Sequence, residues 1–483
     1  MLKALRTITI ITVVILLGTS LLFAEAPDTV WTRTYGAEYS EVAFAGTATS
    51  DDCMVIAGYT SSFGAWNCDG YLVKVNMDGD TAWTKMYGED YYDYVMDIVE
   101  TADSGLVIAG KHSFPGSGIR KCWLLKTYAD GTLEWEKNFT GADDLETEGL
   151  AETADSGFVI TGYTGPYGNY DVFLFRTDKN GDSMWVRTYG GDQNDKGLTV
   201  LPTDDGGFLI VASSYSFGDG DSDLWVIKTD ENGDTLWTRM YGYDANEGIA
   251  DIEATHDGAF IIASNTILDP PGVGAAYLIK LLDTGDTLWT NTFTTEPSPT
   301  ICDINETADH GFLLTGGAGY DYPLSGQMLI IKTDANGDTL WTTHCGGNAH
   351  DVGRYVYETD AGEIVVAGGY ATSSYGDFYA VKLGAPSQTC CIPPSVGDLD
   401  QSGGTLGFNY DGSDLTLMID GLFINPVHGF DAICLDEADI DFSCGRPCSN
   451  TMMIDGSDLT MLIDALFINP LHYLPNCDET PNF

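Results

Sequence analysis

Basic residues are scarce in this 483-residue chain, which has 21 Lys and Arg against 72 Asp and Glu and a formal net charge of −51. A surface this acidic repels the phosphates of nucleic acids and anionic membranes. The chain also lacks G-x-S-x-G, Walker, H-E-x-x-H and C-x-x-C motifs, and its seven His show no metal-ligand spacing. Because of its strong negative charge, we expect the protein to have no nucleic-acid partner. Signs of catalysis are weak, although an acid/base pair could assemble in space among the 72 acids.

Only the N-terminus carries a long apolar run. Lys3 and Arg6 precede an apolar segment over 8–23, and small residues follow at Ala24 and Ala26. This order is typical of a secretory signal peptide, here residues 1–26, with cleavage after Ala24 as the alternative because Pro27 follows Ala26. An uncleaved anchor is the other reading, but the run is shorter than the ~20 residues that a membrane span needs. We therefore predict a secreted protein, extracellular or at the cell surface, with no membrane span after cleavage.

The eleven cysteines are unevenly placed, and export would permit disulfides. The last 94 residues hold six of them: Cys390, Cys391, Cys434, Cys444, Cys448 and Cys477. An even set in a small region predicts disulfide staples, whose pairing the sequence leaves open. The other five are scattered, and we expect at least one to be a free buried thiol.

Seven Trp residues recur at intervals of 50 or 52 residues: Trp31, Trp83, Trp135, Trp185, Trp237, Trp289 and Trp341. Such a period indicates stacked supersecondary units. Four short strand-like runs per unit, separated by Gly and Asp turns, are typical of a propeller blade. We expect the Trp side chains to pack between blades.

The two ends of the array are complementary. Residues 28–36 (DTVWTRTYG) read as a fourth strand without its first three, whereas residues 356–382 read as three strands without a fourth. Joined, they complete a seventh blade and leave no exposed sheet edge. The sequence thus predicts a mainly β fold, a seven-bladed β-propeller over residues 27–384 closed by the N-terminal strand.

Two polar positions recur in every unit. A basic residue closes the third strand: Lys74, Lys126, Arg176, Lys228, Lys280, Lys332 and Lys382. A Thr recurs in the first strand, preceded in four units by Glu100, Glu152, Glu306 or Glu358. We interpret these as ion pairs and hydrogen bonds within each blade, since buried charges need partners; the alternative is a basic ring around the channel that attracts an anion.

K-T-D-x-N-G-D segments at 178–182, 230–234 and 334–338 resemble calcium ladders, but Asn-Gly between two strands favours plain hairpin turns. The repeat, with its W-x-x-x-Y-G-G and D-x-W-L-x-K segments, resembles a family of uncharacterised secreted bacterial propellers, and its D-x-x-G-x-x-x-W turn is distantly similar to that of quinoprotein-type propellers. That resemblance covers residues 30–383. It implies the fold and not dehydrogenase activity, because the cofactor-binding residues of the quinoproteins have no counterpart here.

The loops between second and third strands are rich in aromatic residues and Gly. Propellers usually bind ligands over the channel on one face, so these loops predict a ring of flat surfaces suited to sugars or peptides. The candidate residues are Tyr59, Trp66, Tyr163, Tyr167, Tyr215, Phe217, Tyr320, Tyr322 and Tyr375. The alternative is that these rings pack the loops against one another. Asp219, Asp221 and Asp223 are the propeller's best candidates for a bound cation.

After a linker at 385–396, residues 397–483 contain a duplication: YDGSDLTLMIDGLFINP from Tyr410 and IDGSDLTMLIDALFINP from Ile454. Each copy has an Asp-x-Asp-x-Ser segment, an Asp-Gly-Ser-Asp box and then apolar residues at helical spacing. Alternating oxygen ligands followed by a carboxylate at a helix start suit calcium, whereas magnesium demands a tighter octahedron. The alternative reading of the boxes is helix capping.

This tail resembles a type I dockerin, a small α-helical module of paired calcium loops that docks secreted enzymes to cohesin partners. The resemblance implies calcium ligands at Asp398, Asp400, Ser402, Asp411 and Asp414, and at Asp439, Asp441, Ser443, Asp455 and Asp458. Both loops are longer than the family's, by five and eight residues. The implied cofactor is Ca²⁺, and the implied partner is a cohesin-like or cell-surface protein.

Two functions follow from these expectations. The first is a secreted binding or scaffold protein, non-catalytic, whose propeller recognises a polysaccharide or another extracellular ligand and whose tail docks through calcium. The alternative is a carbohydrate-active enzyme, a glycoside hydrolase or lyase of a polysaccharide-degrading system, since dockerin-like tails commonly accompany such enzymes.

Overall fold

The computed structural model describes residues 26–385 apart from loop segments 64–67, 89–91, 114–119, 142–143, 167, 219–221, 243–246, 269–272, 295–298, 319–325, 347–349 and 372–375. Residues 1–25 of the predicted signal peptide and the predicted dockerin-like tail, with all ten of its predicted calcium ligands, lie outside these residues. The described part contains no helix long and apolar enough to cross a membrane.

The described residues form 28 strands. In chain order they are β1 (Thr29–Tyr35), β2 (Glu41–Thr49), β3 (Cys53–Thr60), β4 (Asp69–Asn76), β5 (Thr81–Tyr87), β6 (Asp93–Glu100), β7 (Leu106–Ser113), β8 (Arg120–Thr127), β9 (Leu133–Phe139), β10 (Leu145–Glu152), β11 (Phe158–Thr164), β12 (Asp171–Thr177), β13 (Ser183–Tyr189), β14 (Asp195–Pro202), β15 (Phe208–Ser214), β16 (Asp223–Thr229), β17 (Thr235–Tyr241), β18 (Gly248–Ala254), β19 (Phe260–Leu268), β20 (Val273–Leu281), β21 (Thr287–Phe293), β22 (Pro299–Glu306), β23 (Phe312–Ala318), β24 (Gln327–Thr333), β25 (Thr339–Cys345), β26 (His350–Glu358), β27 (Ile364–Ala371) and β28 (Gly376–Leu383).

The strands form seven four-stranded antiparallel sheets, which confirms the seven-bladed propeller. Blades 1 to 6 take four consecutive strands each, from β2–β5 to β22–β25, and blade 7 has the order β26-β27-β28-β1. The N-terminal strand closes the ring as predicted: β1 pairs with β28, with Thr32 opposite Val381 and Tyr35 opposite Phe378. The first strands of neighbouring blades contact one another all around the ring, so they line the central channel.

Among the described residues, seven hydrophobic clusters each take their buried residues from two neighbouring blades. One cluster joins Ile56 and Val73 of blade 1 to Ala367 and Phe378 of blade 7. A blade alone would leave both apolar faces in water, and burial of such area is the dominant favourable contribution to folding. The ring is therefore stabilised as a unit.

The repeated Trp and Tyr of the fourth strand contact the next blade. In blades 1 to 6, a Gly in the turn between third and fourth strands has a positive φ and packs against the Trp ring of the preceding blade; Gly181, for example, lies against Trp135 with φ +73°. In four blade pairs the Tyr hydroxyl also donates to the carbonyl of this Gly, as from Tyr189 to Gly233 at 2.6 Å. The prediction that the Trp residues pack between blades is confirmed.

The basic residue of the third strand pairs with an acid in the first turn of its own blade, in all seven blades. Lys126 Nζ lies 2.7 Å from Asp103, and Lys280 Nζ 2.7 Å from Asp257. In blades 1 to 6 the recurrent Thr donates to the same acid, as from Thr101 at 2.6 Å. These pairs confirm the interpretation as contacts within a blade, so the seven cations are not a ring that faces the channel.

The recurrent Glu behaves differently from our expectation, because its contact is between blades. Glu100 of blade 2 accepts the backbone N–H of Ser50 of blade 1 at 2.8 Å, and Glu358 of blade 7 accepts that of Ala308 of blade 6 at 2.7 Å. The side chain reaches the neighbouring turn because it extends from the end of the innermost strand. We call this contact the Glu clasp.

Two further expectations concern turns and thiols. The K-T-D-x-N-G-D segments form hairpin turns in which Asp178 accepts the backbone N–H groups of Asn180 and Asp182. The five cysteines of the described residues are free thiols, and Cys122 and Cys345 are buried. The six cysteines predicted to form disulfides lie outside the described residues.

Candidate ligand-binding site

The two faces of the ring differ in the connections they carry. One face, which we call the loop face, carries the loops between second and third strands and the segments that enter each first strand. The opposite turn face carries the short turns between first and second and between third and fourth strands. The candidate site lies on the loop face, near the mouth of the channel.

The site is built on one rung of each blade, the pair of residues that face each other across the first and second strands just inside the loop face. In blades 1 to 4 these pairs are Val42–Tyr59, Tyr94–Lys111, Glu146–Tyr163 and Lys196–Ser213. In blades 5 to 7 they are Gly248–Asn265, Thr300–Gly317 and Val352–Gly369. Large aromatic and charged side chains thus occupy one half of the ring, and small residues occupy most of the other half. This asymmetry makes blades 1 to 4 the candidate half for ligand binding.

Tyr163 is the centre of the site. The ammonium group of Lys196 lies 4.8 Å from the centroid of its ring, and that of Lys111 lies 5.9 Å away. The ring of Tyr170 packs beside it at 5.1 Å. Blades 2, 3 and 4 each contribute, so residues 85 positions apart in the chain converge on one phenol. We call Lys111, Arg120, Glu146, Glu148, Tyr163, Tyr170 and Lys196 the Tyr163 site.

Two carboxylates hold Lys111 and Arg120 in place. Lys111 Nζ lies 2.8 Å from Glu148 and 3.3 Å from Glu146, and the guanidinium of Arg120 also pairs with Glu146. Burial raises the pKa of Glu148, although Lys111 and Lys196 oppose the shift. Burial, together with both glutamates, raises the pKa of Tyr163, so its hydroxyl stays protonated and able to donate a hydrogen bond. The site therefore has three cationic groups against two carboxylates in a chain of net charge −51.

An aromatic cluster adjoins the site in blades 1 and 2. The rings of Tyr59 and Tyr94 meet edge to face at 4.9 Å, Tyr92 stacks on Tyr94 at 6.3 Å, and Phe44 lies 5.9 Å from Tyr59. Tyr92 is 48% exposed. This cluster continues the site along the loop face with apolar surface and phenol hydroxyls.

Buried carboxylates one residue nearer the loops fix the loop conformations. Glu41 accepts from the hydroxyl of Thr60 at 2.6 Å and from the backbone N–H of Ala37 at 3.1 Å. Asp195 accepts from the hydroxyl of Ser214 at 2.5 Å and from the backbone N–H of Gly191 at 2.8 Å. Because both carboxylates are fully buried, these charge-assisted bonds hold the loop entrances rigidly.

The structure describes four of the nine predicted binding residues. Tyr163 is in the site, and Tyr59 contacts Tyr94 beside it. Tyr215 and Phe217 are 44% and 41% exposed, and the ring of Phe217 packs on Trp225 at 4.9 Å. Trp66, Tyr167, Tyr320, Tyr322 and Tyr375 lie outside the described residues, as do Asp219 and Asp221 of the predicted cation site, whereas Asp223 is buried at the start of β16.

Sequence reasoning missed Lys111, Lys196 and the two glutamates. These residues carry no local motif, and each belongs to a different blade or strand. An alignment of the seven units would have shown the signal, since Tyr59, Lys111 and Tyr163 occupy the same repeat position, as do Tyr94, Glu146 and Lys196.

Four acids line the channel below the site. Asp97 accepts the backbone N–H of Leu150 of the next blade at 2.7 Å, and Asp303 accepts that of Val356 at 2.6 Å. Burial raises the pKa of Asp97 to about 7 and that of Glu253 to about 8. Burial raises the pKa of Asp251 and of Asp303, which share a hydrogen bond. These contacts between blades give the channel acids a structural role.

No family model matches the chain, and no curated protein sequence matches it. Solved structures do resemble it. A polysaccharide lyase of family PL25, an ulvan lyase, superposes with a TM-score of 0.50 at 10% identity, covering 74% of this chain and 96% of the lyase. The α-L-arabinofuranosidase Arb93A from Fusarium graminearum superposes with a TM-score of 0.42 at 11% identity, covering 59% of this chain and 91% of that enzyme. At such identities the likeness shows the propeller fold alone.

Proposed function

We propose that this protein is a secreted polysaccharide-binding protein whose propeller holds an acidic sugar chain at the Tyr163 site. The observation that carries the proposal is the convergence of Lys111, Arg120 and Lys196 around Tyr163 on the loop face. The chain is poor in basic residues, and seven of them form ion pairs inside the blades. Three others lie close together at one mouth of the channel.

The chemistry of the site suits a sugar that carries carboxylates or sulfates. Ammonium and guanidinium groups form strong charge-assisted hydrogen bonds with such anions. Aromatic rings offer an apolar surface for the C–H faces of sugar rings, and phenol hydroxyls bond sugar hydroxyls. The strong negative charge of the remaining surface would direct an anionic chain to this patch, because approach elsewhere is repelled. The polysaccharide lyase among the distant structural neighbours is compatible with this role.

Binding is favoured over cleavage by the state of the channel acids. Asp97 and Asp303 accept backbone N–H groups of the neighbouring blades, and Asp251 bonds Asp303, so these groups are committed to holding the ring. The proposal includes docking of the tail to a cohesin-like or cell-surface partner through calcium. That half is supported by the duplicated Asp-rich sequence.

The test is binding of the full mature chain to a panel of uronate-containing, sulfated and neutral polysaccharides, with release of reducing ends and of unsaturated products measured in parallel. We expect binding to acidic polymers that weakens as salt is added, without product release. The variant carrying Lys111→Gln and Lys196→Gln should lose it. Lys179→Gln, which removes an exposed positive charge in a turn on the opposite face, is the control and should bind as the native chain does.

Equal binding by the double variant and the control would place recognition elsewhere on the molecule. Binding to neutral polymers alone would contradict the acidic ligand. Product release that disappears in the double variant would make the protein an enzyme acting at this site.

A further inference from the structure

Two histidines meet a carboxylate on the turn face, between blades 5 and 6. His256 lies in the first turn of blade 5, Glu306 ends the first strand of blade 6, and His310 lies in the first turn of blade 6. The imidazole rings stack with their centroids 3.5 Å apart. His256 Nδ1 lies 2.7 Å from Glu306 Oε1, and His310 Nδ1 lies 3.9 Å from the same oxygen.

Both imidazoles are accessible to solvent, with side-chain exposures of 46% for His256 and 51% for His310, whereas Glu306 is 11% exposed. The carboxylate is held independently of the rings, because its other oxygen forms the Glu clasp with the backbone N–H of His256 at 2.8 Å. One oxygen is thus fixed by the fold, and the other is directed at both imidazoles.

We propose that His256, Glu306 and His310 bind a divalent transition-metal ion of the zinc class. One nitrogen from each imidazole and one carboxylate oxygen lie within 4.8 Å of one another. Two donors bound to tetrahedral zinc at about 2.0–2.2 Å are about 3.3 Å apart. The two nitrogen–oxygen distances, 2.7 and 3.9 Å, lie on either side of that value, and rotation of the two exposed imidazoles out of their stacked arrangement would create the set.

The donor set decides the class of metal. Imidazole nitrogens favour Zn²⁺, Cu²⁺ and Ni²⁺, whereas calcium and magnesium prefer oxygen ligands only. Three protein donors leave a fourth position for water or for a donor from a partner molecule. The site lies on the face opposite the Tyr163 site, and it joins the turns of two blades.

The chain itself contains a matched comparison. At the junction of blades 1 and 2, Ser50 and Ser104 occupy the positions of His256 and His310, and Glu100 occupies that of Glu306. Ser50 donates its backbone N–H to Glu100 at 2.8 Å and its hydroxyl to the other oxygen at 3.0 Å, and the two Ser hydroxyls lie 3.2 Å apart. The same scaffold therefore carries Ser-Glu-Ser in one place and His-Glu-His in the other. Serine at these positions is compatible with the fold.

The test is calorimetric titration of Zn²⁺ into the chelator-treated full chain, with Ca²⁺ in excess to occupy oxygen sites, and electron paramagnetic resonance of added Cu²⁺. We expect one Zn²⁺ event that is weakened in His256→Ser and in His310→Ser. Since loss of a residue that merely supports a metal ligand costs about 10- to 100-fold in affinity, loss of a ligand should cost at least about 100-fold. The Cu²⁺ spectrum should show two coupled nitrogens in the native chain and fewer in each variant.

The paired change Ser50→His and Ser104→His, made in the His256→Ser and His310→Ser background, should restore one Zn²⁺ event by building the site at the other junction. Thermal unfolding in the absence of metal checks that each variant folds. The proposal is overturned if the native chain shows no Zn²⁺ event, or if its isotherm and Cu²⁺ spectrum persist unchanged in both single variants.

Discussion

The hydroxyl of Tyr35 donates to the carbonyl of Gly79 at 2.8 Å, across the seam where the ring closes. Tyr35 belongs to the N-terminal strand of blade 7, and Gly79 lies in a turn of blade 1. The same bond recurs from Tyr87, Tyr189 and Tyr241 to Gly residues 44 positions later. The seam is therefore held by the contact that also joins ordinary neighbouring blades.

Tyr35→Phe should lower the free energy of unfolding by about 1 kcal/mol, the typical net contribution of one hydrogen bond. The phenyl ring of the new Phe should still pack between the blades, because Phe139 occupies the equivalent position in blade 2. Denaturant unfolding measures the change. Tyr128→Phe, a change at an exposed tyrosine in a turn of blade 2, should cost less; equal losses in the two variants would mean that the seam bond contributes nothing specific.

Gly181→Ala should destabilise the ring more than Gly206→Ala. Both glycines have positive φ, +73° and +83°, so both variants carry similar backbone strain. An added methyl at Gly181 would lie 2.7 Å from the Trp135 ring, whereas nothing lies within 4 Å at Gly206. We expect an extra loss of about 1–3 kcal/mol from overpacking at Gly181, measured by denaturant unfolding. Equal losses would show that the Trp ring simply moves aside.

Stability should fall as pH rises from about 4 to about 8. Asp97 has a pKa raised from 3.8 to about 7, and Glu253 has one raised from 4.5 to about 8, so the folded state binds more protons over that interval. Protons bound more tightly by the folded state stabilise it at low pH, and this contribution is lost as pH rises through the folded pKa values. Asp97→Asn should flatten the pH profile of the melting temperature, whereas Asp360→Asn, an exposed control, should not. A profile with the same slope in Asp97→Asn would contradict the assignment.

Tyr92→Ala should weaken binding of long acidic sugar chains more than binding of short ones, because Tyr92 lies beyond the Tyr163 site on the aromatic cluster. A loss of about tenfold for long chains corresponds to about 1.4 kcal/mol. Calorimetry with oligosaccharides of increasing length gives the comparison. Tyr128→Ala, at an exposed tyrosine on the turn face, is the control. An equal loss for every chain length would confine the ligand to the Tyr163 site.

Removal of calcium from the full chain should lower the melting temperature of the tail and leave that of the propeller unchanged. Asp398→Asn and Asp439→Asn should each remove one calcium-binding event in calorimetry, because a carboxylate ligand becomes neutral. Asp334→Asn, in a propeller hairpin turn, is the control and should retain both events. A chain that binds no calcium would reduce the Asp boxes to helix caps.

The propeller fold could be predicted from the sequence because the pattern of each structural element recurs seven times. The Trp period and the basic residue of the third strand reflect contacts that recur in every blade. The incomplete units at both ends reflect the closure of the ring. The prediction for the recurrent Glu was wrong, because its partner lies in the neighbouring blade and not in its own. Repetition shows that a residue has a constant partner but does not show whether that partner lies in its own unit or in the next.

The sequence by itself determined the number of blades, the closing strand and the ion pairs within each blade, since these depend on local periodicity and regular register. Only the tertiary structure decided which side chains of different blades meet in the two candidate sites. Lys111, Tyr163 and Lys196 meet because the ring brings first and second strands of three blades to one channel mouth. His256 and His310, 54 residues apart, meet because adjacent turns are neighbours in space. Such convergence depends on how blades pack around the axis, which no local sequence pattern encodes.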